Sequence, residues 1–187
     1  LINGDSETGI CTMITDVGLD SGDVCLTEKI TIADDMNFED LHDKISYLAP
    51  DLISKTLKGL TNGTIKPIKQ DEKLMTLAKK LQPDEDLIDF SKSAKDIHNL
   101  VRGIYKTPCA YFNFRGKKIK VMRTFVSDYD MKYSKIGEIL KISKNGIEIS
   151  TGQGSITIVD IKPEGKGEMP ASAWVNGAKV QLGDFIS

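Results

Sequence analysis

"GICTMITDVGLDSGDVCLTEKITI", residues 9–32, is the stretch on which the reading of the fold turns. Its two ends, GICTMIT (9–15) and VCLTEKITI (24–32), are β-branched and apolar. Between them lies the Gly- and Asp-rich DVGLDSGD (16–23). Such a pattern predicts two strands joined by a loop. Read as a turn alone, Gly18 and Gly22 supply positive φ, while Asp20, Ser21 and Asp23 satisfy backbone amides.

Downstream, ADDMNFEDL (33–41) offers several helix N-caps. Leu41, Ile45, Leu48, Leu52, Ile53 and Leu60 then keep helical spacing as a core stripe. Pro50 lies inside this pattern and either opens a second helix or kinks a single one; TNG (61–63) ends it. Residues 64–90 hold two prolines, alternating charge and little periodicity, the marks of a linker. SAKDIHNLVRGI (93–104) predicts a short helix with a Ser93/Asp96 capping box. Its apolar stripe is Ala94, Ile97, Val101 and Ile104, with Lys95, Asn99 and Arg102 on the opposite face.

After Pro108 the period changes to short alternating runs: CAYFNF, KIKVMRTF, GEILKI, GIEIST, SITIVDI and AKVQLGDF. Glycine-bearing turns separate them, and the rhythm is that of an antiparallel β-domain close to a small barrel. The expected plan is an incomplete α/β half over 1–70, a linker over 71–90, and a β-barrel domain over 91–187.

Composition narrows the function classes. Of the 187 residues, 40% are apolar and 28% charged, which suits a globular protein rather than a disordered one. No apolar run approaches the roughly 18 residues of a membrane span, so no membrane partner is expected. The chain opens on Leu1-Ile2 without an initiator Met or a signal peptide, as a fragment or processed chain would. Three cysteines with no CxxC spacing, and His42 and His98 far from them, argue for reduced thiols and no metal. Cys11 and Cys25 are expected to be buried as small hydrophobes. Charge is segregated: twelve acids face only Lys29 and Lys44 in residues 1–51, while residues 106–125 hold six basic residues and no acid. Two surfaces with different partners follow from that asymmetry, unless the basic run is simply a solvated face.

GDSETGICTMITDVGLDSGDV resembles the second half of the catalytic domain of methionyl-tRNA formyltransferases, whose pattern is GD.ETG, an apolar strand, and D.GLDTGD. The resemblance continues in register through KPIKQDE, LIDFSKSAKDIHNLVRGIYKTPCA and KPEGKGEMPASAWVNG. It implies a partial Rossmann-like α/β formyltransferase domain followed by an OB-like antiparallel β-barrel. It further implies transfer of a formyl group from 10-formyltetrahydrofolate to the amino group of methionyl initiator tRNA in translation initiation. Asp20 matches the family's catalytic Asp, which would orient a His and stabilise its charged form. Asp16, Val17, Gly18 and Leu19 would lie against the folate's pterin ring.

The family's Asn and His belong to an N.H.SLLP segment with no counterpart here; neither His42 nor His98 fits it. The resemblance therefore implies an N-terminally truncated chain, inactive alone, with one catalytic residue of three. Phe90 replaces the family's usual Trp. Arg102, Lys106, Arg115, Lys117, Lys118, Lys120 and Arg123, with Lys66 and Lys69, are the candidates for tRNA phosphates, which position without reading sequence. A monomer in a bacterial-type cytosol or an organelle matrix is expected. Two alternatives stay open: another folate-dependent formyltransferase or a 10-formyltetrahydrofolate hydrolase domain, and a non-catalytic tRNA-binding fragment.

Overall fold

In the computed structural model, which describes residues 1–186, the opening stretch forms two strands. Strand β1 (Glu7–Met13) pairs antiparallel with β2 (Val24–Thr31). Helix α1 (Phe38–Thr61) packs on both. It starts at a reciprocal cap: the Asn37 side chain accepts from the Glu39 and Asp40 amides at 2.8 and 3.1 Å, and Asp40 accepts from the Asn37 amide at 3.0 Å. The helix runs through Pro50 as one piece and is capped by Asn62. Leu52, Thr56 and Gly59 form its buried stripe. The Thr56 hydroxyl meets Leu52 O at 2.8 Å and Thr12 Oγ1 at 2.7 Å, which ties the helix to β1. Ile53, expected in the core, is exposed, because it stands about 100° round the helix from Leu52. These elements belong to one compact unit, Asp5–Lys80.

The second unit comprises Leu81–Ser187 together with Leu1–Gly4. Helix α2 (Ala94–Gly103) begins at Ser93, whose hydroxyl accepts from the Asp96 amide at 3.1 Å. Strands β3 (Tyr111–Phe114), β4 (Lys117–Asp128), β5 (Ile139–Ser143), β6 (Gly146–Ser150), β7 (Ser155–Pro163) and β8 (Met169–Pro170) build one antiparallel sheet. Its order is β3–β4–β7–β6–β5, with β8 added on β7. The antiparallel sheet is as expected. The strand path is open, with β3 and β5 at its ends, so the pairing does not close a barrel. The last run, AKVQLGDF, is not a strand. Its first residue, Ala178, ends a helix, α3 (Ala171–Ala178), and Lys179 takes a left-handed cap. The segment is tied to the start of β5 by an isolated bridge between Phe185 and Glu138 and by the hydrogen bonds of Ile139 with Gly183 and Asp184.

The core of this unit is aliphatic with an aromatic spine. Ile97, Val101, Val121, Ile147, Ile149, Ile156, Ile158 and Ile161 are all buried. Phe112 stacks edge-to-face with Phe90 and Trp174, at centroid distances of 6.3 and 6.2 Å, and Phe114 meets Trp174 at 5.3 Å. Ile88 and Phe90 are buried here too, and Leu87 bridges to Tyr111. Buried polar groups are satisfied: Thr151 donates to Gln153 O or Gly154 O at 2.7 and 2.8 Å, and Ser155 donates to Glu148 at 2.7 Å.

Two isoleucine truncations separate core from surface. Ile161→Ala removes a wholly buried side chain and is expected to cost about 2–5 kcal/mol in urea unfolding. Ile53→Ala, on an exposed helix face, should change stability by no more than about 0.5 kcal/mol. Equal losses would show the burial pattern of α1 to be wrong.

Candidate functional site

The loop between β1 and β2 carries the first group of candidates. Its neck is closed by Ile14, whose amide donates to Asp23 O at 2.9 Å. Neither Gly18 nor Gly22 supplies the positive φ expected of them; that conformation falls on Asp20, at +50°. The glycines are needed for space instead. A Cβ on Gly22 would run into the Ile14 carbonyl, and one on Gly18 into the Ser21 side chain. Nor do the aspartates cap the turn as a purely structural loop would have them do. Asp16 accepts from the Val17 amide at 2.7 Å, but the Asp20 and Asp23 carboxylates hold no hydrogen bond or ion pair among the described residues. Val17 and Leu19 are almost fully exposed, leaving an apolar pair beside a free carboxylate. From outside the loop, the Gln70 amide donates to Asp20 O at 2.8 Å and to Gly22 O at 2.7 Å.

The basic residues divide by what they already touch. Arg102 is buried rather than on the free face of α2, and its Nε donates to Asn99 Oδ1 at 2.9 Å. The N-terminal residues cover that side: a Cβ on Gly4 would stand 2.8 Å from Asn99 Nδ2, and one on Gly103 would stand 3.2 Å from Ile2 N. Arg115 donates to Ala178 O at 2.9 Å and to Asp184 at 3.1 Å, with its guanidinium over Phe114. Arg123 is paired with Asp160 at 2.6 Å. Lys106 lies over the Tyr105 ring at 4.9 Å. Lys117 is exposed at the start of β4, and Lys66 and Lys69 are exposed in the other unit.

Lys118 and Lys120 lie on the outward side of β4, where Ile119 and Val121 point into the core. With Lys162 and Lys166 they line a cleft of about 220 Å³ at the Pro163–Lys166 turn. Lys118 also sits 3.4 Å over the Tyr111 ring and 3.8 Å from Asp86, and Lys120 donates to Pro108 O at 3.1 Å. Lys162 and Lys166 are candidates that sequence reading missed. Lys162 faces Lys120 directly across β4–β7, a like-charge pairing that is unfavourable without an anion between the two. The signal was present in KPEGK, but only strand register brings it to KKIK.

The histidines are apart from both groups. His42 is exposed, with Nδ1 3.3 Å from Asp43, and His98 Nδ1 lies 2.9 Å from Thr124 Oγ1. Among the described residues no three His, Cys, Asp or Glu side chains are grouped to hold a metal, and no helix is long and apolar enough to cross a membrane.

Comparison with known proteins shows the family. A family model described as "Formyl transferase, C-terminal domain" matches residues 80–179. The methionyl-tRNA formyltransferase of Acetivibrio thermocellus is 37% identical over 186 residues, covering 100% of this chain and 60% of that protein. The enzyme of the same name from Citrifermentans bemidjiense is 38% identical, covering 100% of this chain and 58% of the other. The chain thus spans about three fifths of the length of these relatives. Among solved structures, HypX from Aquifex aeolicus in complex with tetrahydrofolic acid superposes with a TM-score of 0.68 at 16% identity. That match covers 100% of this chain and 35% of HypX, a likeness of fold.

The thiols carry no nucleophile for the site. Cys25 and Cys109 are buried, whereas Cys11, expected to be buried, is exposed on the outward-facing register of β1. Burial raises the Cys109 thiol above its usual range, and its Sγ rests against Val121 O and Met122 Sδ. A raised thiol pKa keeps the group protonated, and so unreactive, through mildly alkaline pH. Iodoacetamide at pH 8 should therefore label Cys11 quickly in the folded chain, and Cys109 only after unfolding, as read by peptide mass spectrometry. Rapid native labelling of Cys109 would contradict its burial.

Proposed function

The chain belongs to the formyl transferase C-terminal domain family, and on that premise we propose that it is the Asp20-bearing and tRNA-contacting part of a methionyl-tRNA formyltransferase. The observation that carries this reading is the state of Asp20. Its backbone sits in the left-handed region, which costs a non-glycine residue of order 1–3 kcal/mol, yet its carboxylate caps nothing in the turn. A strained, unengaged carboxylate at the tip of a pinned loop supports a role for Asp20 in chemistry rather than in the loop's own stability.

The folate cosubstrate, 10-formyltetrahydrofolate, would supply the formyl group. Asp16, Val17, Gly18 and Leu19 would hold its ring, and the exposed Val17 and Leu19 side chains give an apolar surface of the kind a flat ring covers. Asp20 would act on protons at the attacking amine through an imidazole, as an anion that favours the charged ring. That imidazole is not assigned to His42 or His98. The wider plan follows the same reading: residues 1–70 complete a Rossmann-like catalytic domain, 71–90 link, and 91–187 form an OB-like tRNA-binding domain, in a monomeric protein of a bacterial-type cytosol or organelle matrix.

For the RNA, Lys117, Lys118 and Lys120 with Lys162 and Lys166 present a phosphate-binding surface, and Lys106 adds one more exposed charge. Arg115 and Arg123 are held by acids and could contribute only by sharing their guanidinium groups. The burial of Arg102 beside Asn99 gives it a structural part.

Two measurements test the reading. In an A. thermocellus enzyme whose matching segment is replaced by residues 1–187, Asp20→Asn should lower kcat for formylation by about 10²–10⁴, with tRNA affinity unchanged. Near-normal turnover would remove Asp20 from the catalytic set. Separately, the chain itself should bind tRNA with an affinity that falls steeply with salt. Changing Lys117, Lys118 and Lys120 together to Ala should weaken initiator and elongator tRNA by a similar factor and flatten the salt slope by about two to three. Anisotropy titrations at two salt concentrations read both effects, and salt-independent binding would return these lysines to a solvated face.

A further inference from the structure

We propose that Gln70 is the positioning residue for Asp20, holding the loop that presents its carboxylate. The inference rests on the reading of Asp20 as a catalytic group. It begins from register. After α1 the chain returns alongside β2, and Val24 and Ile68 exchange both backbone hydrogen bonds, at 2.8 and 2.9 Å. Extended backbone advances two residues on the same side, so that pairing delivers the Gln70 side chain to the β1–β2 loop.

A primary amide has two N–H donors on one nitrogen. Gln70 Nε2 directs them to Asp20 O at 2.8 Å and Gly22 O at 2.7 Å, the carbonyls on either side of Ser21. Fixing both fixes the Asp20–Ser21 and Gly22–Asp23 peptide planes. The first of them is the plane that follows the left-handed residue, the least favourable conformation in the loop. Other constraints act elsewhere. The Ile14–Asp23 bond closes the neck, and Gly22 packs against the Ile14 carbonyl. Neither touches the tip, where Val17 and Leu19 are exposed and, among the described residues, Gln70 alone bonds the Asp20 main chain from a distant segment.

The side-chain type is specific. Glutamate is isosteric but acceptor-only, so it would face two carbonyl oxygens with no proton to offer and with a negative charge beside Asp20. Asparagine is one methylene shorter and reaches one carbonyl at most. Catalytic groups displaced by about 1 Å can lose on the order of 10² in rate, so a clamp on the backbone acts on turnover without touching substrate.

The test has two arms. On this chain, hydrogen exchange at the Ile14, Val24 and Ile68 amides, whose hydrogen bonds close the base of the loop, should quicken by about tenfold or more in Gln70→Ala and in Gln70→Glu, because two hydrogen bonds that resist opening of the loop are lost. Exchange within Phe38–Thr61 should stay unchanged in both. In the hybrid enzyme, Gln70→Ala should lower kcat by about 10–100-fold with KM for methionyl-tRNA unaltered. Combined with Asp20→Asn, the same change should cost nothing further, since Gln70 acts only through Asp20. Unchanged loop exchange would overturn the clamp itself. An equal loss from Gln70→Ala in the Asp20→Asn background would overturn its service to Asp20. Normal turnover of Asp20→Asn alone would instead sink the catalytic reading, and the positioning role with it, while leaving the exchange result as the measure of the clamp.

Discussion

Strand β4 lies against β7 along nearly the whole length of β7, and the rest of the large sheet is reached through that pair. β3 hangs on the outer edge of β4, while β6, β5 and β8 connect through β7. The pairing is irregular in three places, between Val121 and Arg123, between Arg123 and Thr124, and between Val126 and Asp128. Each irregularity increases local twist and re-aims side chains. Val121 and Ile161 face each other in the core on one side of these breaks, and Thr124 pairs with Ile158 on the other. The sheet can thus wrap a single aliphatic core while β4 keeps a basic outer side.

That same pair sets the electrostatics of the unit. On its outer surface Lys120 opposes Lys162, and the turn after β7 adds Lys166. Exposed charges of one sign placed directly across a ladder give up a little stability. Nearby acids offset only some of the other charges: Asp160 takes Arg123, Asp184 takes Arg115, and Asp86 approaches Lys118. Lys118, with Asp86 beside it, shares the cleft with Lys120, Lys162, Lys166 and one acid, Glu164, so the lining is basic overall.

In the smaller unit the governing constraint is the hold on one loop. Two strands alone are marginal in water, and α1, packed on both, supplies the missing cover and is tied to β1 by the Thr56–Thr12 hydrogen bond. The returning segment at Ile68 and Gln70 then ties down the loop end of the hairpin. The energy spent on keeping Asp20 left-handed is drawn from these distributed contacts.

Local chemistry was legible in the sequence. Alternation named β1, β2 and the strands from β3 to β7, and the Asn37-to-Asn62 and Ser93 caps bounded the helices, because strand period, helix period and capping depend on neighbours a few residues away. The motifs around Asp20 pointed to the family in the same way. What the tertiary structure decided were matters of cover and register. Arg102 and Asn99 looked like a free helix face until residues 1–4 closed over them. Cys11 and Ile53 looked like core until the pairing and the helix phase turned them outward. AKVQLGDF alternates like a strand, but the Ala171–Ala178 helix claims its first residue and a left-handed cap turns the next. The positive φ falls on Asp20 rather than on the two glycines, whose lack of a Cβ instead leaves room for the Ile14 carbonyl and the Ser21 side chain. Gln70 and Asp20, fifty residues apart, and Lys120 and Lys162 meet only through hydrogen-bonded register, and a single sequence does not encode register in any one local window.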